Sequence, residues 1–269
     1  MNIKKTALAL GSAFMLFATT LSAQEQPWSL GVKAGGSMSW LGGFDKLVPE
    51  KNAANEKMSN KASGRFMFTG GLTAGYAFHE NVGVGVEVLY AGLGGQLETL
   101  KVLANDATDA EKTANKPTKT QIYSHNLVVP VMLKLFPMGC DPEEGILTVD
   151  LGFQAVCPLA VSVKTSKVEN GEIKDELEEW EDTDKKKFDK STQMSLMTVD
   201  AIAGVGYEFP EIGLTIEGRY HFGFSDVLKS DDEAKKYRKD KTTFTEDKNV
   251  RNHYATLSVG YNFARLLMD

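Results

Sequence analysis

Residues 194–225, MSLMTVDAIAGVGYEFPEIGLTIEGRYHFGFS, hold two long alternating runs joined by a tight link. On the first run Met197, Val199, Ala201, Ala203, Val205, Tyr207 and Phe209 alternate with Thr198, Asp200, Gly204, Gly206 and Glu208, and only Ile202 interrupts the polar phase. On the second, Ile212, Leu214, Ile216, Gly218, Tyr220, Phe222 and Phe224 alternate with Gly213, Thr215, Glu217, Arg219, His221, Gly223 and Ser225. A period of two marks a strand with two unlike faces. Both runs exceed the usual globular strand of about 5–6 residues and suit a tilted membrane crossing of about 9–11. Pro210-Glu211-Ile212-Gly213 makes the pair a hairpin.

Working outward, the same pattern recurs. Strand one carries Leu30, Val32, Ala34, Met38 and Trp40 on one phase; strand two carries Phe66, Phe68, Leu72, Ala74, Tyr76 and Phe78; strand three carries Val82, Val84, Val86, Val88 and Tyr90. Strand four puts Tyr123, Leu127, Val129, Val131, Leu133 and Leu135 together, and Pro130 on its other phase predicts a bulge or local irregularity, because proline cannot donate to the ladder. Strand five runs from Leu147 to Val161, the hairpin supplies six and seven, and Ala255, Leu257, Val259, Tyr261 and Phe263 form strand eight. The links alternate between long ones of about 24–28 residues and short ones of about 3–9. The expected fold is all-β, an eight-stranded antiparallel up-and-down transmembrane β-barrel with short turns in the periplasm and long loops outside the cell. Aromatic residues of the apolar phase cluster at both strand ends, as interfacial girdles do, with Trp28, Tyr76, Phe78, Tyr207, Phe209, Tyr261 and Phe263 at one rim and Trp40, Phe66, Phe68, Tyr90, Tyr123, Tyr220, Phe222 and Phe224 at the other. The rival is a soluble lipocalin-like barrel with its apolar face turned inward, into which fifteen banded aromatics fit poorly.

The amino terminus reads as a secretory signal. Lys4 and Lys5 precede an apolar run from Ala7 to Phe17, with Ser22 and Ala23 before the expected cut, giving a leader over 1–23 and a barrel domain over 24–269. Beyond it no stretch reaches the roughly 20 apolar residues of a membrane helix, so only a closed barrel could hold the chain in a bilayer. Losing Lys4 and Lys5 takes the formal charge from −6 to about −8, which argues against a nucleic-acid partner. Cys140 and Cys157 lie too far apart along one hairpin arm to pair, roughly 30 Å against the roughly 6 Å a disulfide spans.

The elements GVKAGGSMS (31–39), GGLTAGYAF (70–78), GVGVEVLYAGLGG (83–95), VVPVMLK (128–134), DAIAGVGYEF (200–209), IEGRYHFGFSDV (216–227) and LSVGYNF (257–263) resemble the PorT-like, porin-family outer-membrane β-barrels of Bacteroidetes. The resemblance covers all eight strands. It implies the outer membrane of a Gram-negative bacterium, insertion by the barrel assembly machinery, and a link to secretion or envelope integrity, since PorT is implicated in type IX secretion. It also implies that Val259, Tyr261 and Phe263 present the assembly signal, although residues 264–269 follow the final aromatic where many such chains end.

The polar phase supplies the candidate site. Lys33, Glu87, Lys134, Asp150, Glu217 and Arg219 fall inward near the short-turn ends, with Asp200 somewhat higher and His221 beside Glu217 and Arg219. Glu87, Lys134 and Asp150 are expected to pair across consecutive strands, and Arg219 to neighbour the strand of Asp200. Paired charges in a narrow lumen offset one another's desolvation and would plug it. His125 and His253 belong at the outer rim and His79 in a turn; spacing assembles no serine-histidine-acid arrangement, nucleotide loop or zinc site, so neither catalysis nor a cofactor is expected. In the loops, DELEEWEDTD (175–184) followed by KKKF reads as a solvated, partly helical loop able to bind divalent cations or dock a partner through Trp180 and Phe188, and KKYRKDK (235–241) as a basic patch. The expected function is a surface or scaffold role through external loops toward a protein partner, lipid or lipopolysaccharide. The alternative is a low-conductance passive pore.

Overall fold

The computed structural model describes residues 28–46, 57–103, 118–140, 145–169, 172–180, 195, 197–227 and 249–264. Strands β1 (Trp28–Gly42), β3 (Arg65–His79), β4 (Val82–Lys101), β5 (Thr118–Leu135), β6 (Ile146–Glu169), β8 (Thr198–Phe209), β9 (Leu214–Gly223) and β10 (Arg251–Asn262) pair in turn, all antiparallel, and β10 returns to β1. The eight strands close a ring. The large apolar residues of the alternating phase face outward, Phe66 76%, Phe153 62% and Leu257 66% exposed, while Ser37, Ser39, Asp150 and Asp200 are fully buried inside. That polarity removes the lipocalin-like reading. Among the described residues no helix is long and apolar enough to cross a membrane.

The link at Pro210 works as its residues require. Pro210–Ile212 form a single 3-10 turn, Gly213 takes the left-handed conformation at φ 67°, and its N–H donates to the Pro210 carbonyl at 3.2 Å. Gly213 in turn accepts the N–H of Asn262 at 2.7 Å, tying the hairpin to the end of β10. The irregularity expected at Pro130 is present. The β4–β5 ladder passes from Val86↔Val131 to Leu89↔Val128, leaving Pro130 unpaired on that side, while β6 pairs with it in register through Gln154. A second break lies where Pro158 and Ala160 of β6 oppose Asn126 and His125, so that Leu159 is the extra residue of a bulge.

Two expectations need correcting. The segments read as polar loops continue the strands: β4 runs on to Lys101, β5 begins at Thr118, and β6 reaches Glu169. Two further strands, β2 (Met58–Ser63) and β7 (Glu172–Trp180), pair with the extensions of β4 and β6. The acidic run is therefore strand over 172–180 and not a partly helical loop; ladder pairing with β6 outweighs the helix propensity of Glu and Lys. Residues 181–194, with Phe188, the patch at 235–241 and the leader at 1–23 lie outside the described residues. Cys140 and Cys157 form no disulfide with each other, as expected from their separation.

A cation–carboxylate cluster inside the ring as candidate functional site

Register and inward phase bring six charged side chains to one level. Lys33 of β1, Glu87 of β4, Lys134 of β5, Asp150 of β6, and Glu217 and Arg219 of β9 make up three cations and three carboxylates from five strands. Arg219 is the hub. It donates to Glu87 as a fork, Nη1 to Oε2 at 2.8 Å and Nη2 to Oε1 at 2.9 Å, to Asp150 Oδ2 through Nη2 at 2.8 Å and Nε at 3.2 Å, and to Glu217 Oε2 at 2.6 Å. Lys33 closes the other side, 2.7 Å from Glu87 Oε2 and 2.9 Å from Glu217 Oε1. Lys134 reaches Asp150 Oδ1 at 3.3 Å. The Arg219 and Asp150 side chains are 1% and 0% exposed. A planar guanidinium with five donors can serve three carboxylates at once, which an ammonium could not do with the same fixed geometry.

Glycines on the inner wall make room for these long side chains. A Cβ at Gly204, which pairs with Arg219, would stand 2.5 Å from Arg219 Cγ, and one at Gly85 would stand 2.7 Å from Lys134 Cε. Smallness of the wall and length of the charged residues are one device.

The structure brings Lys33, Glu87, Lys134, Asp150, Glu217 and Arg219 together and sets Asp200 and His221 in a neighbouring layer. Lys134 pairs with Asp150, its register partner, as expected, whereas Glu87 is bonded across the interior to Arg219 and Lys33. Asp200 stands apart from Arg219. It belongs to a second layer, where Gln154 Nε2 donates to Asp200 Oδ2 at 2.8 Å and also to the Tyr254 hydroxyl, and His221 donates from Nδ1 to Gln154 Oε1 at 3.0 Å. His221 stacks on Tyr254 with ring centroids 3.9 Å apart and planes 4° from parallel, and its Nε2 lies 3.3 Å from Thr256 Oγ1. Tyr254 and Gln154 were missed as members of the site; both lie on inward phases, and an inward tyrosine on a wall whose other aromatics face lipid was the available signal.

Above this layer the interior turns apolar. Leu89, Ala91, Leu93, Val128, Val156 and Tyr254 form a buried cluster. It arises because β3 and β4 part beyond Thr69↔Ala91 and β4 bends toward β1, where the Ser37 and Ser39 hydroxyls donate to the Gly92 and Gly94 carbonyls at 2.9 Å each. A cavity of about 120 Å³ lies between the charged cluster and the short-turn end, lined in part by Lys33, Glu87, Lys134, Glu208 and Ser258. Another of about 30 Å³ sits at the long-loop end beside Ser124, Asn126 and Asn252.

At the rims the expected girdles are in place. Trp28 meets Tyr76 at 4.5 Å between centroids at the short-turn end, and at the other end Trp40 lies 6.0 Å from Tyr220 and Phe222 lies 5.2 Å from Phe224. Val259 and Tyr261 face outward on β10, and the Phe263 N–H donates to the Leu30 carbonyl at 2.9 Å. His125 bonds the Tyr90 hydroxyl through Nδ1 at 2.5 Å, and His253 packs against Phe222, both at the outer rim as expected. Among the described residues no group of three His, Cys, Asp or Glu side chains could hold a metal ion.

Several solved structures are similar to this chain at low sequence identity. Ail, the attachment invasion locus protein of Yersinia pestis, is 12% identical with a TM-score of 0.37, over 88% of this chain and 100% of its own. Neisserial surface protein A shows the same identity, coverage and score. OprG of Pseudomonas aeruginosa is 10% identical with a TM-score of 0.40, over 89% of this chain and 97% of its own. No curated protein matches the chain in sequence. Residues 22–229 match the family described as the outer membrane protein beta-barrel domain, and with the closed ring, outward apolar wall and aromatic girdles already in view, the chain belongs to that family and to the outer membrane.

Proposed function

We propose that this protein is a non-enzymatic outer-membrane scaffold whose lumen is plugged by the Arg219 cluster and which acts through the strands and loops it holds outside the cell. One observation carries the reading: three cations and three carboxylates from five strands satisfy one another at 2.6–3.3 Å across the interior. A balanced cluster of that kind presents no unpaired charge to a passing ion, and a buried apolar cluster lies above it. With the short turns periplasmic, the extensions of β4, β5 and β6 and the added strands β2 and β7 stand on the cell exterior, where a protein partner would meet them.

The strand motifs shared with PorT-like barrels of Bacteroidetes support a link to secretion or envelope integrity. The basic and then apolar start supports removal of residues 1–23, and the outward Val259 and Tyr261, followed by Phe263 in the same alternation, suit recognition by the barrel assembly machinery. A low-conductance pore is the second reading, favoured by the cavity of about 120 Å³ that reaches Lys33 and Lys134 from the periplasmic side.

Single-channel recording on the refolded protein, with heat-modifiable mobility as proof of folding, tests the plug. Wild type is expected to be silent and Arg219→Ala or Lys134→Ala to open measurable steps. Steps in wild type would establish the pore, and silent variants that are fully folded would remove the plug from the account.

A further inference from the structure

Toward the outer rim the ladder on this side of β4 breaks and then resumes. With β3 it runs to Thr69↔Ala91, and with β2, which leads into β3, it starts again at Ser63↔Gln96, so residues 64–68 and 92–95 do not pair with each other. On its other side β4 stays paired with β5 through this stretch, from Gly92↔His125 to Gly95↔Ile122. Two serines of β1, both fully buried, take the place of the missing strand. Ser37 Oγ donates to the Gly92 carbonyl at 2.9 Å, while Ser39 Oγ donates to the Gly94 carbonyl at 2.9 Å and accepts the Gly94 N–H at 2.8 Å. Two hydroxyls thus satisfy backbone groups that a ladder would otherwise serve. To reach them β4 passes beneath β3. A Cβ at Gly92 would come within 2.8 Å of Met67 Cε, and one at Gly95 within 3.1 Å of Leu41 Cγ, so small residues are what allow the overlap.

The overlap leaves polar groups unsatisfied. Arg65 of β3 sets its guanidinium carbon 3.8 Å above the Tyr123 ring centroid, and its Nε and Nη1 are buried with no hydrogen-bond partner. Buried donors without acceptors destabilise the arrangement that holds them. An alternative lies alongside. Five residues separate Ser63 from Thr69 and four separate Ala91 from Gln96, a mismatch of one that a single β-bulge absorbs. Continuing the register past Thr69↔Ala91 sets Phe68 opposite Gly92 and Met67 opposite Leu93. Pairing along the whole length would exchange the two serine hydroxyls for a main-chain ladder and withdraw Leu93 from its buried cluster with Leu89, Val128 and Tyr254.

We infer that residues 92–95 are a strap with two seats. Tucked against Ser37 and Ser39 they close the outer half of the lumen; paired with residues 64–68 they complete the wall and open that half to the cell exterior. Both seats keep the β4–β5 ladder, and packed elements of this kind switch between discrete arrangements. The Arg219 cluster lies below the strap, so opening it makes a blind vestibule and not a channel. Strand position is therefore the readout, and the result is independent of whether that cluster plugs the lumen.

Disulfide trapping separates the two seats. In the tucked seat Met67 covers one face of β4 at Gly92 while Leu93 points from the opposite face into the buried cluster; in the ladder the two become opposite neighbours on one face. The full chain is folded in lipid vesicles with Met67→Cys and Leu93→Cys in a Cys140→Ser, Cys157→Ser background, oxidised, and followed by peptide mass, with heat-modifiable mobility as proof of folding. The bond between positions 67 and 93 is expected to form, and to form about tenfold faster when Ser37→Ala and Ser39→Ala remove the bonds of the tucked seat. No such bond in the folded protein, or a rate that the serine substitutions leave unchanged, would overturn the strap. A second measurement keeps the native side chains at 67 and 93. Hydrogen exchange over residues 89–95 is expected to quicken about tenfold in Ser39→Ala while residues 82–88 keep the wild-type rate. Unchanged exchange over 89–95, or an equal quickening over 82–88, would overturn the strap as well.

Discussion

Arg219 shows how much one side chain can be asked to do inside a narrow barrel. It is almost fully buried among three carboxylates, and the two lysines alone cannot satisfy them. Truncating one partner of a buried charge set leaves the others uncompensated, so Arg219→Ala is expected to lower stability by about 3–5 kcal/mol, read as a shift in the urea midpoint of the lipid-embedded barrel. A second test separates space from charge. Gly204→Ala would drive a methyl to 2.5 Å from Arg219 Cγ and is expected to cost about 1–3 kcal/mol in the same assay. Gly218→Ala, with nothing within 4 Å of the added carbon, should stay within about 1 kcal/mol of wild type. Equal effects at the two glycines would show that their wall position, and not the fit to Arg219, sets the cost. The charged residues were legible one by one, because an ionisable side chain on the inward phase of a membrane strand has few other uses. Their pairing was not: Glu87 reaches Arg219 on β9, several strands away around the ring, and no spacing along the chain encodes that reach.

At the level of elements, the alternation of apolar and polar residues carried the eight wall strands almost intact, and the extra strands escaped it. Outside the bilayer neither face of a strand meets lipid, so β2 and β7 show no period-two contrast; MSNKAS and EIKDELEEW read as loop and helix by composition. They are strands because the extended edges of β4 and β6 supply ladder partners. This has a consequence for dissection. Among the described residues β7 pairs only with β6, so deleting residues 170–183 is expected to leave heat-modifiable mobility unchanged, whereas loss of the folded band would mean that β7 helps to close the ring. The two prolines were informative to different degrees. Pro130 marked a real interruption of the β4–β5 ladder, while the bulge at Leu159 follows from Pro158 and from the parting of strands at the outer rim, which only the assembled sheet reveals.

For the whole molecule, inversion of the usual globular arrangement is the governing fact: apolar residues are outside, charges are inside, and the bilayer takes the place of a core. A charge moved to the outer wall tests it. Val131, 55% exposed near mid-height on β5, is expected to tolerate arginine only at a cost of about 2–4 kcal/mol in a bilayer, and a negligible cost would contradict the assigned lipid-facing phase. The sequence by itself determined the strand count of the wall, which face meets lipid, which end carries the short turns and which charges lie within, because each is written in local alternation and link length. Only the tertiary structure decided how those charges pair, that β4 leaves β3 and bends toward β1, and that Arg65 comes to rest on Tyr123. Each of these depends on ring closure and on the divergence of neighbouring strands, which bring together residues that no local pattern relates.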